Sequence, residues 1–201
     1  DLGSGAGNDC FVARFEVGDT GKVIGIDFTP AMIEKARLNA DQLQFNNVEF
    51  RLGDIEQMPV GSNMADVVVS NCVLNLVPDK NAVFKDMFRV LKPGGHFCIS
   101  DVVLSGKLPD ALKKDAEMYA GCVSGAIQKE VYLELIAANG FNDIRISIEK
   151  PIYIPDDILS RYMNQEEINA YRSGTTGIFS ITVSANKPTS QNECKPGAGC
   201  C

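Results

Sequence analysis

The sequence predicts a doubly wound α/β fold, a mostly parallel sheet with helices on both faces. Three observations carry that prediction. Apolar runs of strand length alternate with amphipathic stretches of helical length through residues 1–150. The chain opens on a glycine-rich turn, Asp1-Leu2-Gly3-Ser4-Gly5-Ala6-Gly7, of the kind that joins a strand to a helix. Acidic or polar residues then recur where successive apolar runs end.

Only Asp1 and Leu2 stand before the glycines, where a buried apolar strand is expected. The reading therefore takes the chain as N-terminally truncated, with the rest of the first strand and helices before it upstream. Lys22 to Asp27 reads as the next strand, and Pro30 to Leu43 as a helix with Thr29 as N-cap and Pro30 at its first position. Val48 to Leu52 and Ala65 to Ser70 read as strands, the second a continuous apolar run expected to be buried on both faces. Asp79 to Leu91 is a helix, ended by the turn Lys92-Pro-Gly-Gly95, and His96 to Val103 is a strand. Ala111 to Gly121 and Lys129 to Asn139 are helical, and Phe141 to Glu149 is a strand. Pro151 to Gly177, with Pro155 and two acidic helical-looking turns, reads as an insertion, and Ile178 to Ser184 as a final, antiparallel strand in the sheet interior. Pro188 to Cys201 is rich in Ser, Gln, Asn, Lys, Pro and Gly and is expected to be a flexible tail. No repeat is present.

With 201 residues, 45% hydrophobic and 22% charged, the chain fits one domain with one substantial core. The net charge of −7 and the lack of a basic run argue against nucleic acid or an anionic membrane as partner. No apolar run approaches the roughly 18 residues of a membrane span, so a cytoplasmic location is expected. Seven cysteines, Cys10, Cys72, Cys98, Cys122, Cys194, Cys200 and Cys201, are an odd number in such a domain and suggest thiol chemistry rather than a disulfide framework. No Cys-x-x-Cys pair exists and His96 is the sole histidine, so zinc is not expected and His96 reads as structural.

In an open α/β sheet, ligands bind outside the carboxyl ends of the strands where strand order reverses. Four such ends converge in this reading. Gly3, Ser4 and Gly5 can lie under a ligand, with Asp1 fixing the loop or a ligand ammonium group. Asp27 can accept two ribose hydroxyls, and Phe28 can pack on an adenine. Asp54 offers an acceptor for the adenine amino group, with Ile55 as an apolar wall. Asn71 faces the pocket centre. The Gly-x-Gly-x-Gly spacing departs from the Gly-x-Gly-x-x-Gly that seats a pyrophosphate, which disfavours a nucleotide-dependent oxidoreductase and favours S-adenosylmethionine as cofactor. The expected domain is then a class I, Rossmann-like methyltransferase domain over 1–150. Residues 151–187 form its substrate-side insertion and final strand, and 188–201 its cysteine-containing tail.

Three segments sharpen this reading: Asp1-Leu-Gly-Ser-Gly-Ala-Gly-Asn-Asp-Cys10, Ser70-Asn-Cys-Val-Leu-Asn-Leu-Val-Pro-Asp-Lys80 and Gly121-Cys-Val-Ser-Gly-Ala126. Together they closely resemble the arsenite S-adenosylmethyltransferases, over nearly the whole ordered chain. The resemblance implies methyl transfer from S-adenosylmethionine to trivalent arsenic bound by cysteine thiolates, giving mono- and dimethylated arsenicals. It makes Cys10 and Cys122 two of the arsenic ligands. It also implies that protein cysteines reduce the pentavalent product and are restored by thioredoxin or glutathione. Two departures stand out: one family cysteine would lie upstream of Asp1, and no cysteine occurs between Cys122 and Cys194.

The chemistry suits the residues. Trivalent arsenic is a soft centre that prefers thiolates, and its lone pair can attack a sulfonium methyl without a general base. Cys10 begins the helix after the glycine loop, where a helix N-terminus would favour the thiolate. The competing reading of Cys10 and Cys122 is a small buried hydrophobe. Cys72 reads as pocket wall and Cys98 as core. Cys194 and the Cys200-Cys201 pair could capture arsenite and pass it to Cys10 and Cys122. Two other functions stay open: a methyltransferase of a small organic acceptor, and a non-catalytic arsenite-binding thiol protein.

Overall fold

The computed structural model describes residues 1–108, 112, 123, 125–173 and 176–189. Its elements, in order, are α1 (Asn8–Val17), β1 (Val23–Asp27), α2 (Pro30–Leu43), β2 (Val48–Leu52), β3 (Ala65–Asn71), α3 (Lys80–Val90), β4 (Leu91–Ser105), α4 (Lys129–Ala138), β5 (Asn142–Pro151), α5 (Asp156–Leu159), α6 (Gln165–Arg172) and β6 (Gly177–Asn186). β1 pairs in parallel with β2, and β3 in parallel with β4. β6 lies antiparallel between β4 and β5. Leu2 joins the two groups through parallel bridges to Ile26 of β1 and Ser70 of β3. The order across the sheet is thus β2, β1, Leu2, β3, β4, β6, β5, and strand order reverses at Leu2.

Alternation of side chains sorts the core by face. Phe97, Ile99 and Val103 of β4 and Ile181, Val183 and Ala185 of β6 point at α3 and α4, where Phe84, Met87, Tyr132 and Ile136 meet them. Edge-to-face ring pairs tie this layer together, Phe84 with Tyr132 at 5.4 Å and Phe97 with Phe141 at 4.9 Å between centroids. On the opposite face α1 and α2 cover β1 and β2 through Cys10, Ile33, Ala36, Ala40 and Phe50. A third cluster, Val102, Leu104, Ile154, Ile158, Leu159, Ile168, Tyr171 and Ile178, packs the insertion onto the ends of β4 and β6. Lys187 fastens the far end of β6 to the last turn of α3, donating to the carbonyls of Phe88 and Leu91 at 2.6 and 2.7 Å and to Asn63 Oδ1 at 2.8 Å.

Several expectations need correction. β3 is not buried on both faces: Val68 and Ser70 are buried, whereas Val67 is 46% exposed. Among the described residues, α1 and α2 cover only the β1 and β2 end of that face, so Cys98 is half-buried instead of core and His96 is exposed. The Lys92–Gly95 turn is a bulge at the start of β4, because Ala65 pairs with Leu91 and Val67 with His96. Thr29 N-caps α2 without a side-chain bond. The helix expected over Ala111 to Gly121 lies outside the described residues, apart from the buried Leu112, as does most of the expected tail.

Candidate functional site

The glycine loop is built by backbone geometry that only glycine adopts readily. Gly3, Gly5 and Gly7 have φ of 69°, 51° and 97°. A Cβ on Gly3 would run into the Val73 side chain, and one on Gly7 into the rings of Phe11 and Phe50. A Cβ on Gly5 would meet nothing within 4 Å, so the loop presents open space there. The amides of Gly3 and Ser4 both donate to the Ile26 carbonyl, at 2.8 and 2.9 Å, which holds the loop against the end of β1. Asn39 Nδ2 donates to the Ala6 carbonyl at 3.0 Å and ties it to α2.

Asp27 ends β1 directly beneath this loop and is 8% exposed. Its Oδ2 accepts from the Gly5 amide at 2.9 Å and its Oδ1 from the Thr29 amide at 2.8 Å. Each oxygen keeps a lone pair for a ligand hydroxyl. Phe28, the next residue, is 74% exposed and free to lie against a flat ring. The Gly53 amide donates to the Asp27 carbonyl at 3.0 Å, bringing the end of β2 alongside. There Asp54 caps a 3-10 turn, Ile55–Gln57, by accepting from the Glu56 amide at 2.9 Å. Ile55 differs from expectation: at 6% exposure it packs into the main core with Leu2 and Ile26 and supports the site from behind.

Ser4 supplies the test of fit. It is 7% exposed, and its Oγ has no hydrogen-bond partner among the described residues. A buried hydroxyl of this kind costs free energy until something bonds it. With the space before Gly5 and the Asp27 carboxylate beside it, it suits a ligand with polar groups at one end, two hydroxyls in the middle and a flat base. S-adenosylmethionine has that arrangement.

The end of β3 forms the opposite wall. Asn71 is exposed, and Cys72 takes a left-handed φ of 57° while its amide donates to the Ser100 carbonyl at 2.8 Å. Val73 then packs on Gly3, and Leu74–Leu76 forms a 3-10 turn. Asn75, 4% exposed, donates from Nδ2 to the Val102 carbonyl at 2.7 Å. Gly125 lies so close to the Asn75 carbonyl that any Cβ there would collide with it. Two of the sequence segments singled out above therefore touch, and through Val73 the first also touches the glycine loop.

Cys10 corrects an expectation. It is 0% exposed, its Sγ points beneath Gly25 toward Phe50, and it donates to Asp1 Oδ2 at 3.3 Å. Burial pushes its thiol up to about 11, so the thiolate is not favoured despite the position at a helix start. Asp1 is thereby engaged by Cys10 and by the backbone pairing of its carbonyl with the Ile26 amide at 2.9 Å. Cys122, Cys194, Cys200 and Cys201 lie outside the described residues.

The sequence pattern of the family described as "Methyltransferase domain" matches residues 1–140. The chain belongs to that family. An arsenite methyltransferase of Halobacterium salinarum is 43% identical over 188 residues, covering 94% of this chain and 46% of that protein. The human arsenite methyltransferase is 38% identical over 170 residues, covering 80% of this chain and 45% of that one. The chain thus spans about half the length of the curated relatives it matches. Among solved structures, an arsenic(III) S-adenosylmethionine methyltransferase from Chlamydomonas reinhardtii superposes with a TM-score of 0.77 at 32% identity, covering 95% of this chain and 64% of that one.

Sequence reasoning also passed over buried polar residues near this wall. Asn75 and Lys80 stood inside a quoted segment without a role and are 4% and 8% exposed. Asp101, fully buried, had a visible signal, an acid within the apolar strand from Phe97 to Leu104. Gly125 had none, because its need for a bare Cα arises only where Asn75 meets it.

Proposed function

We propose that this methyltransferase domain transfers methyl groups from S-adenosylmethionine to trivalent arsenic, as arsenite or methylarsenite held by cysteine thiolates, in arsenic detoxification. The observation that carries this reading is the meeting of the Cys72–Lys80 and Gly125–Ala126 segments beside the glycine loop. Those stretches set the arsenite methyltransferases apart in sequence, and they adjoin the loop suited to the methyl donor. The identity to arsenite methyltransferases over nearly the whole chain supports it.

S-adenosylmethionine supplies an electrophilic methyl on a sulfonium. The arsenic lone pair forms the new As–C bond as the S–CH3 bond breaks, leaving a thioether and a formally pentavalent arsenic. No proton moves, so the chain's task is to orient and to exclude water. Asp27 and Ser4 would hold the ribose and the polar end of the donor. Phe28 would lie on the base, and Asn71 would face the gap where the methyl is transferred. Cys122 would be one arsenic ligand, and Cys10 a second once its Sγ leaves Asp1 and the space under Gly25. Two thiols then return arsenic to the trivalent state as they form a disulfide, and glutathione or thioredoxin restores them.

The test is methyl transfer from labelled S-adenosylmethionine to arsenite on the full-length protein with glutathione, comparing wild type with Cys10→Ser and Cys122→Ser. Methylated arsenic from the wild type and its loss in Cys122→Ser are expected. Equal product from all three proteins would rule out thiolate-held arsenic at these positions.

A further inference from the structure

Behind the Leu74–Leu76 turn lies a cluster of polar side chains that the proposed reaction does not use. Asp101 of β4 and Tyr132 of α4 are 0% exposed, and Lys80, the first residue of α3, is 8% exposed. Asp101 Oδ2 accepts from the Tyr132 hydroxyl at 3.2 Å, and its Oδ1 from the Val102 amide at 2.9 Å. Lys80 is its electrostatic partner, though it makes no hydrogen bond among the described residues. The Val102 carbonyl, in turn, accepts from Asn75. One residue, Val102, therefore connects the carboxylate to the turn that touches Gly3 on one side and Gly125 on the other.

Charges buried in this way are a poor means of stabilising a fold, since apolar residues of the same volume serve as well or better. Burial raises the Asp101 carboxyl to about 6 and lowers Lys80, so both groups are held against their solvation preference. The neighbouring segment is attached two residues further along the same strand: the Leu104 amide donates to the Ile127 carbonyl at 2.9 Å, and Leu104 bridges Gln128.

We propose that the buried Lys80, Asp101 and Tyr132 cluster is a positioning device that fixes the Cys72–Leu76 turn where methyl donor and acceptor meet. The effect on catalysis rests on the methyl-transfer reading above; the effect on the turn does not. Asp101 and Lys80 touch neither reactant. They act through Val102 and Asn75, and removing either leaves the other buried without its partner. The turn then loses its fixed distance to the glycine loop, while the donor's contacts with Ser4 and Asp27 stay in place.

The experiment compares full-length wild type with Asp101→Asn, Lys80→Met, the double variant, and Tyr132→Phe, which removes only a hydroxyl. Three quantities are read: kcat with arsenite and glutathione, S-adenosylmethionine affinity by calorimetry, and the rate of Cys72 alkylation by iodoacetamide, followed by peptide mass spectrometry. We expect kcat to fall at least tenfold in Asp101→Asn and Lys80→Met, with donor affinity within about twofold and Cys72 alkylated at least fivefold faster. Tyr132→Phe should move both readouts in the same directions by less, and the double variant should be no worse than the poorer single one. Folded variants with unchanged kcat and unchanged Cys72 alkylation would overturn the proposal. A wild type that makes no methylated arsenic would defeat the functional reading instead, and Cys72 alkylation would still decide whether the cluster holds the turn.

Discussion

Ser4 spends its only hydroxyl in the glycine loop on nothing within the described protein. Ser4→Ala should therefore leave the thermal midpoint unchanged while weakening S-adenosylmethionine binding by about 1 kcal/mol, roughly fivefold, measured by calorimetry. Asp101 behaves in the opposite way. Its carboxyl is raised from 3.8 to about 6, so the folded state binds its proton more tightly than the unfolded chain does. Its contribution to stability is then fullest below about pH 4 and is lost as pH rises through 6, by about 3 kcal/mol at about 1.4 kcal/mol per unit. Urea unfolding of wild type and Asp101→Asn at pH 4, 5, 6 and 7 should show that slope in the wild type and its flattening in the variant; equal slopes would exclude Asp101 as its source. Cys10 is the residue where local reasoning misled. Sequence position sets it at a helix N-terminus, which favours a thiolate. Whether the side chain turns to the ligand or to the core depends on Phe50 and Gly25 across the sheet, and burial there dominates. At pH 7.5 iodoacetamide should modify Cys72 well before Cys10.

At the scale of elements, α2 and β2 were legible to the residue, because Pro30 marks a start and Val48 to Leu52 is a bounded apolar run. The antiparallel β6 was legible from alternation and its place after the insertion. The partial exposure of β3, with Val67 46% exposed, was not, since an apolar run reads the same whether one face or two are packed. Contacts between elements are equally hidden from periodicity. Lys187 stands between the last strand and the tail with no sequence signal of a partner, yet its ammonium closes the last turn of α3. Lys187→Met should cost about 2 kcal/mol of stability without altering donor affinity, as read by urea unfolding and calorimetry. Gly125 shows the same limit. Gly125→Ala must displace the turn at Asn75, and we expect kcat to fall more than tenfold with donor affinity within threefold, measured by steady-state assay and calorimetry.

The molecule as a whole places the candidate site where strand order reverses, at Leu2 between β1 and β3. The glycine loop, Asp27, Asp54 and Asn71 lie at strand ends that this topology brings together, which is why their placement side by side could be read from the sequence. The meeting of Gly125 with Asn75 could not, because the hydrophobic pattern only brackets the segment around Gly125. The third core cluster sets the insertion against the carboxyl end of β4, the same end of the parallel strands at which the glycine loop lies. The account therefore predicts a donor site formed by the glycine loop together with the ends of β1, β2 and β3, and an acceptor that is a soft metalloid. The most direct measurement is S-adenosylhomocysteine formation by the full-length protein with glutathione, with and without arsenite, alongside mass spectrometry of the arsenic products. S-adenosylhomocysteine formed only when arsenite is present, in step with methylated arsenic, is the predicted result. Donor binding with no arsenite-dependent turnover would contradict it.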